Sequence, residues 1–241
     1  MGNETSTGGL LGGRVIYRQF SAGHRSGFEP VLMAAMVPAR PGETVLEAGT
    51  GAGAALLCLA ARVPGVRGIG VERGGALARL AAENFAANGF TALSVVNGDA
   101  TALPLPAHSF QHVMANPPWF GAQNTASPDT ARALARHAPQ TTLAAWIGEL
   151  LRVLRDKGTI TLALPASAYA EAAALLAPSC GGITLLPLWP RLGEKAKMIL
   201  IQAQKASRMA AAVLPGLVLH DETGITKAAE ALLRDGAAFR L

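Results

Sequence analysis

The sequence predicts an α/β fold in which a mostly parallel sheet of seven strands carries helices on both faces. Three observations predict it. Strand-like apolar runs alternate with stretches of helical spacing along most of the chain. A glycine-rich turn, Gly49 to Gly53, joins the first strong strand to the first strong helix. The last two strand-like runs follow one another without a helix, so one of them is expected to run antiparallel. Half of the 241 residues are apolar and 15% are charged, which supplies a core and excludes a disordered or collagen-like chain.

In order, Met1 to Gly9 reads as a loose polar start, Arg14 to Gln19 as a short strand, and Phe28 to Val37 as a helix stopped by Pro38. Glu43 to Glu47 is a buried strand, and Ala54 to Arg62 a helix. Val66 to Val71 is a second main strand, followed by a helix from Ala76 to Asn88 that Asn88-Gly89 ends. Ala92 to Val96 and Phe110 to Ala115 are further strands. The Thr, Ser, Asn and Pro content of Phe120 to Gln140 predicts a loop near the site. Then come a helix from Leu143 to Leu154, a strand Thr159 to Leu164, a helix Ala168 to Leu176, and strands Ile183 to Pro187 and Met198 to Gln204. An apolar stretch, Leu214 to Leu219, and a short helix near Thr226 to Arg234 close the chain. The domain expectation is a lead-in over residues 1–40 (flexible tail, strand, helix), one main domain over 41–205, and an extension over 206–241 packed on it.

No apolar run approaches the 18 or so residues of a membrane span, and Met1 to Gly9 lacks the pattern of a signal peptide. The expectation is a cytoplasmic protein away from any membrane, with a monomer favoured. Cys58 and Cys180 have no metal-ligand spacing, and Cys58 sits in an apolar helical pattern as a small buried thiol would. No metal is expected. Lys plus Arg exceeds Asp plus Glu by five, a balance that favours a polyanionic partner without identifying one.

The glycine turn carries the first chemical signal. Gly49, Gly51 and Gly53 let the backbone bend tightly and approach a ligand, with Thr50 between them and helix amides aimed into the crevice at the strand ends. The run Gly49 to Ala54 also fits a dinucleotide fingerprint. Glu72 closes the second main strand about 20 residues on, where a carboxylate accepts hydrogen bonds from ribose hydroxyls; Arg73 adjoins it. Asp99, with Ala100 beside it, is placed to reach an adenine edge. Glu47 discriminates: an acid before the glycines repels a pyrophosphate but holds an ammonium, favouring S-adenosylmethionine over NAD.

Asn116-Pro117-Pro118-Trp119 is the most specific element. An exocyclic amino group or an amide nitrogen has a delocalised lone pair and is a poor nucleophile. If the Asn116 side-chain oxygen and the Pro117 carbonyl accept its two N–H bonds, the lone pair turns toward a methyl donor without a strong base. Pro118 helps fix the backbone, and Trp119 offers a flat face for an unpaired base.

These residues resemble the class I (Rossmann-like) S-adenosylmethionine-dependent amino-methyltransferases. Within that class, Leu11-Gly12-Gly13-Arg14, Gln19, Gly23-His24-Arg25 and Val31 to Ala35 are similar to the lead-in of the bacterial tRNA1(Val) adenine-37 N6-methyltransferase family. Arg191 to Glu194, Lys205 to Arg208 and Leu219-His220-Asp221 are similar to its C-terminal segments. Three departures stand out: Trp119 replaces the usual tyrosine or phenylalanine, Glu29 with Pro30 replaces a common aspartate, and Glu47 replaces an aspartate. The resemblance implies methyl transfer from S-adenosylmethionine to the N6 amine of adenine in a structured RNA, with tRNA as partner.

Arg25, Arg191, Lys195, Lys197, Lys205 and Arg208 are candidate phosphate contacts if they share one face. His24, His137 and His220 need no catalytic role, and Trp146 and Trp189 read as packing residues. Other readings keep the fold and change the activity: methylation of a protein glutamine amide or of another base in rRNA or DNA, NAD-dependent oxidoreduction, or RNA binding without catalysis. The glutamine enzymes generally carry an extra N-terminal helical domain, for which the lead-in is too short.

Overall fold

The computed structural model describes residues 4–22, 27–118 and 142–239. The loop expected over Phe120 to Gln140 lies outside them, as do Trp119, His24, Arg25 and His137. Twelve strands and six helices, beside short 3-10 turns, are described. They are β1 (Thr5–Leu10), β2 (Val15–Phe20), α1 (Glu29–Met36), β3 (Thr44–Ala48), α2 (Ala54–Arg62), β4 (Arg67–Glu72), α3 (Gly75–Ala87), β5 (Leu93–Asn97) and β6 (Phe110–Ala115). Then follow α4 (Leu143–Val153), β7 (Leu154–Pro165), α5 (Tyr169–Leu176), β8 (Cys180–Arg191), β9 (Met198–Lys205), β10 (Ala212–Val213), β11 (Leu217–Asp221), β12 (Gly224–Ile225) and α6 (Lys227–Leu233).

The central strands run in the order β8-β9-β7-β6-β3-β4-β5. β3, β4, β5, β6 and β7 are mutually parallel, while β9 is antiparallel to both β7 and β8. This is the seven-stranded, mostly parallel sheet expected, with β9 as the reversed strand. Consecutive residues of the inner strands face opposite cores, as a doubly covered sheet requires. Val45 and Met114 pack with α1, α2 and α3, whereas Leu46 and Val113 pack with α4 and α5.

Among the described residues the seven expected strands are joined by three more, because β11 pairs in parallel with β8, β10 also pairs with β8, and β12 pairs with β11. The apolar stretch from Leu214 contains a strand that Pro215-Gly216 interrupts in the sequence pattern. Of the loose start expected over Met1 to Gly9, Thr5 onward is ordered instead: β1 pairs with β2 in an antiparallel hairpin, from Thr5 opposite Phe20 to Leu10 opposite Val15. Gly8 and Gly9 lower its intrinsic strand propensity, and pairing supplies the order that propensity does not.

Two asparagines of α3 hold this hairpin to the main fold. Asn88 accepts from the Ile16 N–H at 2.9 Å and donates to the Ile16 carbonyl at 2.7 Å. Asn84 accepts from the Arg18 N–H at 3.1 Å, donates to the Arg18 carbonyl at 2.8 Å, and donates again to the Ala52 carbonyl at 2.9 Å. Residues four apart on a helix are spaced about 6 Å along its axis, close to the roughly 6.7 Å between alternate strand residues, so two amides mimic one edge of a β-ladder. Asn84 is fully buried and thereby joins the hairpin, α3 and the glycine turn.

Asn84→Ala strips hydrogen-bond partners from Arg18 and Ala52, and is expected to cost about 2–4 kcal/mol in urea unfolding. Asn88→Ala, whose bonds to Ile16 are exposed, is expected to cost about 1 kcal/mol or less.

Candidate functional site

β3, β4, β5 and β6 deliver their carboxyl ends to one edge of the sheet, and the loops that follow them build the site. The turn after β3 is fixed from β4: the Val71 carbonyl accepts from the N–H groups of Gly49 at 2.8 Å and Thr50 at 3.1 Å. Gly49, Gly51 and Gly53 all have positive φ, but space divides their roles. A Cβ on Gly49 would lie 2.8 Å from Trp146, and one on Gly53 would lie 2.5 Å from Phe85. At Gly51 a Cβ would meet nothing within 4 Å among the described residues. The outer glycines therefore admit packing from α4 and α3, while Gly51 borders open space suited to a ligand. Trp146 is a packing residue, as its helical position suggested.

Glu47 is buried at the end of β3. Its Oε2 accepts from the Thr50 hydroxyl at 2.7 Å and from the Leu56 N–H at 3.2 Å. Leu56 lies in the first turn of α2, whose N-cap Gly53 has no side chain to offer, so Glu47 caps the helix from a neighbouring strand. Burial raises its pKa to about 8, against the two hydrogen bonds that lower it, with the Glu72 charge adding to the rise. Burial thus favours the neutral form of this carboxyl.

Thr50 is also revised. Its hydroxyl and N–H are both engaged within the turn, and its side chain fills the space left by Gly70. It shapes the turn and does not present its side chain to a ligand.

Glu72 ends β4 and crosses to the turn. Its Oε2 accepts from the Gly51 N–H at 3.0 Å and its Oε1 from the Gly74 N–H at 2.7 Å. The carboxylate is half-buried and retains lone pairs for further donors. Asn97, which the sequence reading missed, donates to the carbonyls of Glu72 at 2.8 Å and Arg73 at 3.0 Å, locking the ends of β4 and β5 together. Arg73 is exposed and its charge acts on Asp99.

Asp99 is held in a tight turn, its Oδ1 accepting from the Thr101 N–H at 2.8 Å and hydroxyl at 2.7 Å. Those two bonds and Arg73 hold its pKa below the usual value against a smaller effect of burial. Ala100 points into the core, so only its backbone can meet a ligand. The loop beyond is secured from α4: Glu149 accepts from the Leu103 N–H at 2.8 Å, and Arg152 donates to the carbonyls of Leu103 at 2.8 Å and Leu105 at 2.9 Å. Their partners lie more than 40 residues away in sequence, beyond the reach of local patterns.

β6 lies beside β3 with Ala115 opposite Ala48. The residues that follow these two, Asn116 and Gly49, therefore leave the sheet side by side, about one strand spacing, 4.8 Å, apart. Asn116 is half-buried, Pro117 buried and Pro118 exposed.

The candidate basic rim divides. Arg191, Lys195 and Lys197 stand exposed in the turn between β8 and β9, at the carboxyl edge of the sheet. Lys205 lies at the opposite edge, where its Nζ donates to the carbonyls of Leu151 and Leu154, each at 2.7 Å, at the end of α4. It satisfies free helix-end carbonyls and is corrected to a structural cap. Arg208 is exposed at that same far edge, next to the start of β8. Trp189 packs at the sheet edge, donating to the Pro215 carbonyl at 3.1 Å.

The raised Glu47 pKa makes a signed prediction. The folded chain holds a proton that the unfolded chain releases near pH 4.5, so stability falls as pH rises from about 4.5 through 8. Glu47→Gln removes this dependence. Thermal melts across pH 5 to 9 are expected to show the variant gaining on the wild type as pH rises, by about 1–2 kcal/mol at the alkaline end, or roughly 2–8 °C.

The chain matches a family model described as a methyltransferase domain over residues 45–158. It is 33% identical over 158 residues to a protein of Actinobacillus succinogenes named tRNA1(Val) (adenine(37)-N6)-methyltransferase, covering 62% of this chain and 66% of that one. A protein of the same name from Aeromonas salmonicida is 28% identical over 198 residues, covering 77% and 80%. With the first of these, and with a Bacteroides thetaiotaomicron protein of that name covered to 65%, the match spans just under two thirds of the relative's length. Among solved structures, a protein from Agrobacterium tumefaciens titled a predicted O-methyltransferase superposes with a TM-score of 0.72 at 24% identity, over 88% of this chain and 98% of that one. TYW2 from P. horikoshii, in complex with MeSAdo, superposes at 0.59 and 15% identity, over 86% and 73%. Both structural likenesses bear on the fold. With the sequence matches, they show a chain similar in fold to known methyltransferases and similar in sequence to proteins named tRNA1(Val) (adenine(37)-N6)-methyltransferase.

Proposed function

We propose that this chain transfers a methyl group from S-adenosylmethionine to the exocyclic N6 amine of an adenine in tRNA. The observation that carries the reading is the parallel pairing of β3 with β6, which sets Asn116 beside the glycine turn. The site fits the donor in two respects. Open space borders Gly51, and the half-buried Glu72 carboxylate, bonded to the Gly51 N–H, suits a pair of ribose hydroxyls. Asp99 and the backbone of Ala100 flank the adenine side.

The donor supplies an electrophilic methyl group on a sulfonium. The chain's own residues prepare the acceptor. Asn116 Oδ1 and the Pro117 carbonyl accept the two N–H bonds of the target amine, turning its lone pair out of conjugation and toward the methyl carbon. Both oxygens favour the positive charge that develops on nitrogen, so they bind the transition state better than the planar amine. A C–N bond forms as the donor's C–S bond breaks, and the surplus proton leaves to water. Glu47, once deprotonated, favours a cation in the crevice. Trp119, which follows Pro118, takes in this reading the stacking role that its aromatic side chain suits. Arg191, Lys195 and Lys197 at the carboxyl edge meet RNA phosphates. A tRNA substrate supports a cytoplasmic setting for this work.

Asn116→Ala is expected to lower methyl transfer to tRNA at least 100-fold while S-adenosylmethionine affinity, read by calorimetry, stays within about threefold. Full turnover by this variant rules the mechanism out. The divided rim gives a second test. Arg191→Ala with Lys197→Ala is expected to reduce the slope of log affinity for tRNA against log salt by about 1–2. Arg208→Ala is expected to leave it unchanged.

A further inference from the structure

The N-terminal hairpin leaves a hole where a strand face ordinarily fills one. Its inner face presents Leu10 opposite the fully buried Val15, but at the next inward position Gly8 stands opposite Tyr17. Residues directly opposite one another share a face, so the absent Gly8 side chain is missing from the side on which Tyr17 is buried. A cavity of about 670 Å³ results, bordered by Gly8, Gly13, Tyr17, Gln19, Phe28 and Arg234 among others. That volume falls within the range of small-molecule sites. Additional Cβ atoms at Gly8 and Gly13 would meet nothing within 4 Å among the described residues, so this part of the wall is glycine backbone with room for a side chain.

The cavity reaches the edge of the sheet that carries the transfer site. Phe28, 39% exposed, borders it and sets its ring against His220, with centroids 6.1 Å apart. His220 on β11 is in register with Arg191, the last residue of β8, and β8 points the same way as β3 and β6. The hairpin is in turn tied to the glycine turn through Asn84 and Ala52. A cavity of this volume, with the exposed Phe28 ring at its border and on its lining Arg234, whose guanidinium is ion-paired with Glu230 at 3.4 Å, suits a nucleotide: the base stacks on the ring and the phosphate lies toward the arginine.

We propose that this cavity receives a second unpaired nucleotide of the RNA, a neighbour of the methylated one, with Phe28 as its stacking face. The inference rests on the RNA reading above. It gives the enzyme a way to hold the strand on both sides of the extruded base, so the pocket selects for single-stranded context around its target.

Gly8→Leu fills the cavity from a strand position with room for a side chain. It is expected to raise KM for tRNA and weaken direct tRNA binding, read by fluorescence anisotropy, tenfold or more, with kcat and S-adenosylmethionine affinity within twofold and no loss of melting temperature. Phe28→Ala is expected to raise KM three- to tenfold, and Phe28→Trp to restore it. Wild-type KM and tRNA affinity in both Gly8→Leu and Phe28→Ala overturn the inference while leaving the methyltransferase reading intact. A wild-type chain that neither binds nor methylates tRNA overturns that reading and the inference with it. A dimer that Gly8→Leu abolishes, with tRNA affinity unchanged, reassigns the cavity to contact between copies and also overturns it.

Discussion

The parallel pairing of β3 with both β4 and β6 is the constraint on which the site depends. Strand registers are set by apolar residues that must face one core or the other, Val45 and Leu46 on β3 and Val113 and Met114 on β6. A slip of one residue would exchange the two faces of a strand and is opposed by the whole core. Because registers are fixed, so are the exits: Gly49, Arg73 and Asn116 leave adjacent strands at one edge. The glycine turn and the Asn116-Pro117 element are brought together by packing in the two cores.

Polar chemistry then refines what packing positions. Several side chains do the work of backbone. Asn84 and Asn88 complete a ladder for β2, Asn97 fastens β4 to β5, Glu47 caps α2, and Lys205 caps α4. Each lets a chain segment end or dock without stranding peptide groups away from water. Glu47 shows the cost of such economy. The burial that makes it an effective cap also favours its neutral form. The glycine turn divides its labour similarly, with Gly49 and Gly53 serving tight packing and Gly51 leaving the crevice open.

Local signals with sharp punctuation were legible in the sequence. Helix α2 runs from Ala54 to Arg62 as expected after the glycine turn, and β6 has the expected bounds. Glu72, the glycine turn and Asn116 also occupy the strand ends assigned to them. Long-range compensation was not legible. β1 carries two adjacent glycines and exists because β2 pairs with it, and β11 follows Pro215-Gly216 and exists because β8 offers an edge. The roles of Asn84 and Lys205 depend on partners 66 and 54 residues away respectively, and alone each reads as an ordinary solvated side chain. Burial, too, was invisible at Glu47: the sequence supplies an acid, and only its surroundings determine whether it is charged.

The most direct test of the account is a crystal structure with S-adenosylhomocysteine and adenosine bound together. The account predicts the adenine N6 about 3 Å from both Asn116 Oδ1 and the Pro117 carbonyl oxygen, with the thioether sulfur facing the nitrogen from the opposite side. An adenine seated elsewhere, or those two oxygens turned away from the sulfur, would contradict it.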